Sequence, residues 1–403
     1  MKKIIGYIVF ILLAVLSACD LKKNKEADPK GFFRIYNDEN YSSKFTPLDI
    51  EQTPDDGYLI LCAAKIDISA FPGIYIMKID KNGLVLYTKL LSDTYVSPVP
   101  NLIRNTDEYY VVCMDRQTLG TYILKLDETG AETQTAFMDE VQYPLSADLD
   151  PYNSSGIVIQ HYNKDALVTL ITTTNKTGDI SASRAFSIGS GDFDVSQPII
   201  DHLTGHGKKY PFQCNRLWDN TFYFNGFYNY TFSLCMFQFE WDSEVGPGVA
   251  QGYRDERCIS SVVPLSTNAI AGSRFAYGDN YILPYAEVPI DPESYSASSD
   301  MKGPLIPELI SDAPICLKRM MLNGKDVLLY ASTTKSSQIA LYAYDETNGK
   351  LLGTKYLGET NPYAMAGVIK TSDEGIAVLA TTQVAGRFSR IAVFKLSQKE
   401  LDW

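Results

Sequence analysis

Tryptophan and histidine each occur only three times in the 403 residues, and no two of the seven cysteines form a CxxC pair or stand at metal spacing from a histidine. Zinc therefore has no support. No run of Lys and Arg follows the N-terminus and the formal charge is −12, which argues against a nucleic-acid backbone as partner. The chain also lacks Gly-x-Ser-x-Gly, HExxH, P-loop and dinucleotide fingerprints, so no familiar catalytic constellation is written locally. Helical periodicity is scarce. What the chain does have is Tyr 27 and Phe 18 against 21% charged residues, a composition that suits pleated, half-buried strands.

The apolar run "IIGYIVFILLAV" follows "MKK" and leads into "LSAC" at Cys19. It is short for a membrane span and reads as the core of a secretion signal with a small-residue cleavage site. Residues 1–18 are expected to be removed. Residues 19–30 are polar and read as a flexible tether, and 31–403 as one domain. Cysteines past Cys19 sit in a compartment that permits disulfides, yet Cys62 in "YLILC" and Cys113 in "YYVVC" fall within apolar strands and are expected as free, buried thiols.

Two stretches nearly repeat: "IYIMKIDKNG" at 74–83 and "TYILKLDETG" at 121–130. In each, an alternating strand ends in Lys-x-Asp and a glycine follows three residues later. Asp80 and Asp127 can hydrogen-bond the turn backbone, and Gly83 and Gly130 can take the left-handed conformation that closes a hairpin. Weaker copies end at Gly178, Gly246 and Gly349. Apolar strands that each follow a turn begin at Tyr58, Tyr109, Ile157, Thr221, Ala269, Val327 and Ile376, at spacings of 51, 48, 64, 48, 58 and 49. Seven copies of this length, each with about four short strands, predict an all-β fold, a seven-bladed β-propeller of antiparallel strands. The last copy is one strand short, and "GFFRIYN" at 31–37 is a lone strand at the other end. The N-terminal strand is expected to complete the last blade. The fifth copy has a poor outer strand.

"Leu16-Ser17-Ala18-Cys19" resembles the lipobox of bacterial lipoproteins. That resemblance implies acylation of Cys19 and a lipid anchor in the bacterial cell envelope, with the domain periplasmic or surface-facing. Asp20, just after Cys19, resembles an inner-membrane retention signal in some lineages and a surface-export signal in others; the outer membrane is expected over the inner. The blade pattern "Y-x-x-K-x-D-x-x-G" resembles that of bacterial quinoprotein-like and Kelch-like propellers over nearly the whole mature chain. "ALYAYDETNGK" at 340–350 approaches the quinone-docking motif, but the tryptophan that closes it is absent, so no cofactor is expected.

Function is sought where the copies disagree. The longest spacing holds "SIGSGDFDVSQPIIDHLTGHGKKYPF", 187–212, with His202 and His206 beside Asp192, Asp194 and Asp201. His-x-x-x-His can place two imidazoles on one helical face, but "LTGHG" is a poor helix, and a polar surface loop is expected. "GDFD" offers too few oxygens for calcium. Arg116, Tyr228, Tyr230, Tyr277 and Arg387 fall in loops on the same face, where aromatic platforms could stack on a sugar or grip a peptide. A further insertion at 288–314 is long for a hairpin and reads as a contact loop or disorder. The expectation is a monomeric, lipid-anchored, non-catalytic module that binds an envelope protein or glycan. The alternative is a glycan-active enzyme with carboxylates in the central channel.

Overall fold

The computed structural model describes residues 31–37, 44–189, 195–384, 389–401 and 403. The expected secretion signal and tether, Cys19, "GDFD" at 191–194 and Arg387 lie outside the described residues.

The alternation of side chains along a strand explains the architecture. In the first repeat, Tyr58, Ile60 and Cys62 belong to one apolar cluster together with Leu379 and Val393 of the last repeat. Their strand neighbours Leu59 and Leu61 belong to another, with Val111, Cys113 and Leu124 of the second repeat. A sheet that is apolar on both faces must be covered on both. Each repeat is therefore sandwiched between the repeats before and after it.

Strand pairing forms six sheets, the nine-stranded one joining the first two repeats through Tyr95–Val96, so that the seven repeats of the sequence each correspond to one largely antiparallel unit. The inner strands are Phe45–Gln52, Leu102–Asn105, Pro144–Leu149, Gln213–Trp218, Arg257–Ser266, Ile315–Leu322 and Tyr363–Lys370. Each touches the next, and the last touches the first, so the order is cyclic and the chain is a β-propeller. The ring closes as the sequence suggests. Phe32–Tyr36 lies antiparallel to Ser389–Leu396, with Phe32 opposite Lys395 and Tyr36 opposite Ile391, and supplies the outer strand that unit 7 lacks.

The repeated Asp and Gly make the hairpin turns. Asp80 accepts the backbone N–H groups of Asn82 and Leu84, Asp127 those of Thr129 and Ala131, and Gly83 and Gly130 sit at φ 77° and 83°. The repeated lysine is a clamp within its own unit. Lys78, almost wholly buried, reaches Asp55 at 2.6 Å and the Thr53 hydroxyl in the turn between the first two strands. Lys395 makes the same reach to Asp373 at 2.9 Å, and Lys125 to Glu108 at 2.6 Å. Burial would raise the Asp55 carboxyl, but hydrogen bonds from Lys78, Thr53 and the Gly57 N–H hold it down at about 2.

The 288–314 insertion is neither a free contact loop nor disordered. Tyr295–Ala297 pairs in parallel with Gly248–Gln251 at the rim of unit 4. Ile282 N–H then donates to Pro304 O at 3.1 Å and Ile306 N–H to Asn280 O at 2.8 Å, which supplies the edge that unit 5 lacks. Finally Ile310 N–H donates to Thr333 O and Lys335 N–H to Glu308 O in unit 6. The insertion is thus a strap across three units. Gly303 is required by this approach, because a Cβ there would stand 1.8 Å from the Ile282 carbonyl oxygen. Gly303→Ala is expected to cost about 1–3 kcal/mol, the usual price of overpacking. It should speed amide exchange at Ile282 and Ile306 while leaving Leu61 in unit 1 protected; unchanged exchange at Ile282 would mean the strap is not held there.

Candidate functional site

Antiparallel pairing puts the connections into each inner strand, and the loops joining second to third strands, on one face. The 187–212 insertion lies there and is not a polar loop. Ser196–Thr204 forms a helix, α1, that turns Ile199, His202 and Leu203 inward and ends at Gly205, φ 76°. Ile199 and Leu203, one turn apart, pack with Leu145, Phe212 and Cys258 at the leading ends of the inner strands of units 3, 4 and 5, and with Val96 just ahead of unit 2. The helix therefore roofs the axial opening on that side. It is tied down at its margins. Ser97 donates to Leu203 O at 2.9 Å, the Tyr162 and Ser196 hydroxyls meet at 2.7 Å, and Lys208 donates to Asp255 O at 2.5 Å and pairs with Asp312 at 3.2 Å.

This placement disposes of the paired-imidazole geometry. His202 is buried, its Nδ1 accepts the Tyr210 N–H at 3.0 Å, and burial, reinforced by Lys209, depresses its pKa to about 3. It is a neutral structural group. His206 lies past the helix end and is exposed.

The remaining described candidates are spread over units 2, 4 and 5 of this face. Arg116 pairs with Asp93 at 3.5 Å. Tyr228 lines a cleft of about 250 Å³ with Glu293 and Tyr295, at the rim rather than the axis. Tyr230 adopts φ 65° and packs over Gly189, where a Cβ would meet its ring at 2.7 Å. Tyr277 is 66% exposed at φ 51°. Its backbone is held by Tyr277 N–H to Glu256 O at 2.9 Å and Gly278 N–H to Asp312 Oδ1 at 3.1 Å. Its ring stands 6.3 Å from that of exposed Tyr253, which Arg254 overlies at 5.9 Å. Sequence reasoning singled out Tyr277 but missed Tyr253 and Arg254, which come from the preceding connection.

A second group lines the channel. Asp49 and Glu51 of unit 1, Asp148 of unit 3 and Lys318 of unit 6 all sit on inner strands. Asp49 accepts the Leu102 N–H at 2.9 Å, and Asp148 accepts the Leu149 N–H at 2.8 Å and Asn215 Nδ2 at 3.0 Å. Burial raises both carboxyls, opposed by the charge of Lys318. Glu51 is raised well above the usual carboxylate range, by burial first and then by Asp49. Burial alone would depress Lys318, but Asp49, Cys316, Glu51 and Asp148 hold it up. The charge of Lys318 acts on all three acids, and a perturbed acid in a channel can serve proton transfer as well as structure. The six cysteines of the described residues are free, and burial pushes the Cys62 and Cys113 thiols up.

On the opposite face, where units 7 and 1 meet, Gln52, Asp56, Arg104, Lys370, Ser372 and Glu374 line a cleft of about 380 Å³. It is crossed by Ser372 N–H to Gln52 Oε1 at 2.7 Å and Ser372 Oγ to Asp56 Oδ1 at 2.7 Å.

No family model matches this chain, and no curated protein matches it. Solved structures that resemble it include the Pan2 WD40 domain of Neurospora crassa, at 8% identity over 92% of this chain and 96% of that one, TM-score 0.49. The β-propeller domain of the Trilobed protease from Pyrococcus furiosus matches at 9% identity over 89% and 96%, TM-score 0.43. Hadza microbial sialidase Hz136 matches at 10% identity over 92% and 68%, TM-score 0.47. Likeness at this level carries no argument about activity, and the propeller stands on the cyclic strand order itself.

Glu51 makes the channel testable by pH. Its folded pKa lies above the unfolded glutamate value of ~4.3, so the unfolded chain releases a proton that the folded chain keeps, and stability contributed by that proton is lost as pH rises above that value. Glu51→Gln should flatten the decline between pH 5 and pH 8 by more than about 1 kcal/mol, the worth of under one pKa unit. Denaturant melts at the two pH values measure this; parallel declines in wild type and variant would show that Glu51 ionises normally.

Proposed function

We propose that this chain is a lipid-anchored β-propeller of the bacterial cell envelope, of quinoprotein-like or Kelch-like type, held to the outer membrane through Cys19. It acts as a monomeric, non-catalytic binding module that grips an envelope protein or glycan through its loop-rich face. The observation that carries the reading is Tyr277. A left-handed backbone costs a non-glycine residue about 1–2 kcal/mol, yet this tyrosine is held so and left 66% exposed beside Tyr253 and Arg254. Tyrosine and arginine are residues that binding surfaces concentrate, and the two-residue hairpin turn Tyr277–Gly278, with φ 51° and 93°, holds the ring at a fixed, exposed tip. The helical roof supports the same reading, since it makes the face a fixed platform.

A photoreactive residue at position 277 in intact cells should capture a discrete partner that the same residue at Trp218, exposed on the opposite face, does not. Tyr277→Gly should leave stability within about 1 kcal/mol of wild type, because relief of strain offsets the entropy of glycine. It should weaken the captured complex by about 2 kcal/mol or more, roughly 30-fold. Equal capture at both positions would sink the proposal.

A second reading is favoured by the channel acids: hydrolysis of an oligosaccharide by carboxylates of unequal pKa. It requires turnover by the purified chain that Asp148→Asn or Glu51→Gln abolishes.

A further inference from the structure

The outermost strand of unit 1, Val85–Leu90, pairs inward with Gly73–Ile79 and with no other strand among the described residues. Four consecutive apolar residues at its start face solvent: Leu84 is 56% exposed, Val85 47%, Leu86 59% and Tyr87 37%. The equivalent strand of unit 3, Ile180–Ser187, fills its exposed positions with Ser181, Ser183, Ala185 and Ser187. Position in the fold therefore does not demand the apolar run. An unpaired apolar edge is a liability that soluble proteins blunt, and one that persists marks a contact surface.

Its location identifies the contact. The Tyr36 hydroxyl donates to Gly83 O at 3.0 Å, and a Cβ on Gly83 would lie 2.6 Å from the Phe32 ring and 3.0 Å from Arg34. The closing strand thus packs on the turn from which Leu84–Tyr87 emerge, and the chain enters the domain at Gly31, beside this patch. Only 11 residues, 20–30, lie between Cys19 and Gly31, a reach of at most about 40 Å when fully extended. Arg34 and Lys81, both exposed, flank the run in a chain of net charge −12. On the reading that Cys19 is acylated, we infer that Leu84–Tyr87 is a second membrane contact, which lays the rim of unit 1 into the headgroup boundary of the bilayer that holds the lipid. Apolar side chains with a tyrosine and flanking cations suit that boundary. Several acyl chains on Cys19 would already hold the chain stably to the bilayer, so what a protein contact beside the anchor adds is a fixed orientation of the domain.

The test uses the full acylated chain reconstituted into phosphatidylethanolamine–phosphatidylglycerol vesicles. An environment-sensitive fluorophore is placed through Leu86→Cys, through Leu84→Cys just ahead of the strand, or through Ser183→Cys on the unit 3 rim. Spin-labelled acyl chains should quench the probes at 86 and 84 several-fold more than the probe at 183. Vesicle-bound protein with equal quenching at all three would leave the anchor standing and overturn the docking. Protein that fails to float with the vesicles would overturn both. A blue shift of the probe at 86 that rises with protein concentration without vesicles would assign the patch to a second copy of the chain instead.

Discussion

Five residues at one end of the chain, Phe32–Tyr36, hydrogen-bond to the final strand at the other, and the rest of the molecule depends on that pairing. Each unit is apolar on both faces, so none can be solvated, and stacking in a line would leave two apolar ends. Closure removes both. The closing strand does more than fill an edge, because Tyr36 also reaches the Gly83 turn of unit 1 and belongs to the cluster that glues units 7 and 1 together. Loop closure over the whole chain is entropically costly, and the two contacts offset it by acting at the same seam.

The seam also shows what was legible in the sequence. Turn chemistry is local, so Asp80, Gly83, Asp127 and Gly130 could be read from their spacing, and the missing seventh outer strand could be matched to the lone first one. The clamp made by Lys78 was harder to see, although its lysine is part of the quoted repeat. Its partner Asp55 lies 23 residues earlier, and a turn-strand-strand distance carries no visible period. The recurrence at Lys395–Asp373 and Lys125–Glu108 was the signal available. The insertions misled for a different reason. "PIIDHLT" carries Ile199 and Leu203 one turn apart, a short buried face that histidines and glycines obscured, and the 288–314 strap pairs through backbone groups that any sequence possesses.

The channel illustrates a third limit. "LDIEQ", "SADLD" and "CLKRM" each place a charge in the middle of an apolar strand, which is visible, but Asp49, Glu51, Asp148 and Lys318 meet only because units 1, 3 and 6 face a common axis. Burying three carboxylates is expensive unless a countercharge or protonation relieves it. Lys318 supplies the first, and the raised Glu51 carboxyl supplies the second. The same balance can serve an inert core or a proton-transferring one, which is why stability against pH and turnover of a substrate probe different properties of the same four residues.

Cyclic order relates the two surfaces. The units run in sequence around the axis, so unit 1, with its apolar rim and the chain entry, lies across the ring from the boundary of units 4 and 5. Tyr253 and Tyr277 belong to unit 5 and its entering connection. If the rim of unit 1 meets the bilayer, the disc stands on edge, both faces remain in solvent, and the strained tyrosine is held at the end farthest from the lipid. A flexible tether alone would leave that orientation free and expose the tyrosines at every angle to the surface. An apolar rim docked on the bilayer would remove that freedom, while the strap ties units 4, 5 and 6 together on the opposite arc. On that reading the rim of unit 1 and the tyrosine platform lie at opposite ends of one diameter, with the seam between units 7 and 1 beside the end that would meet the membrane.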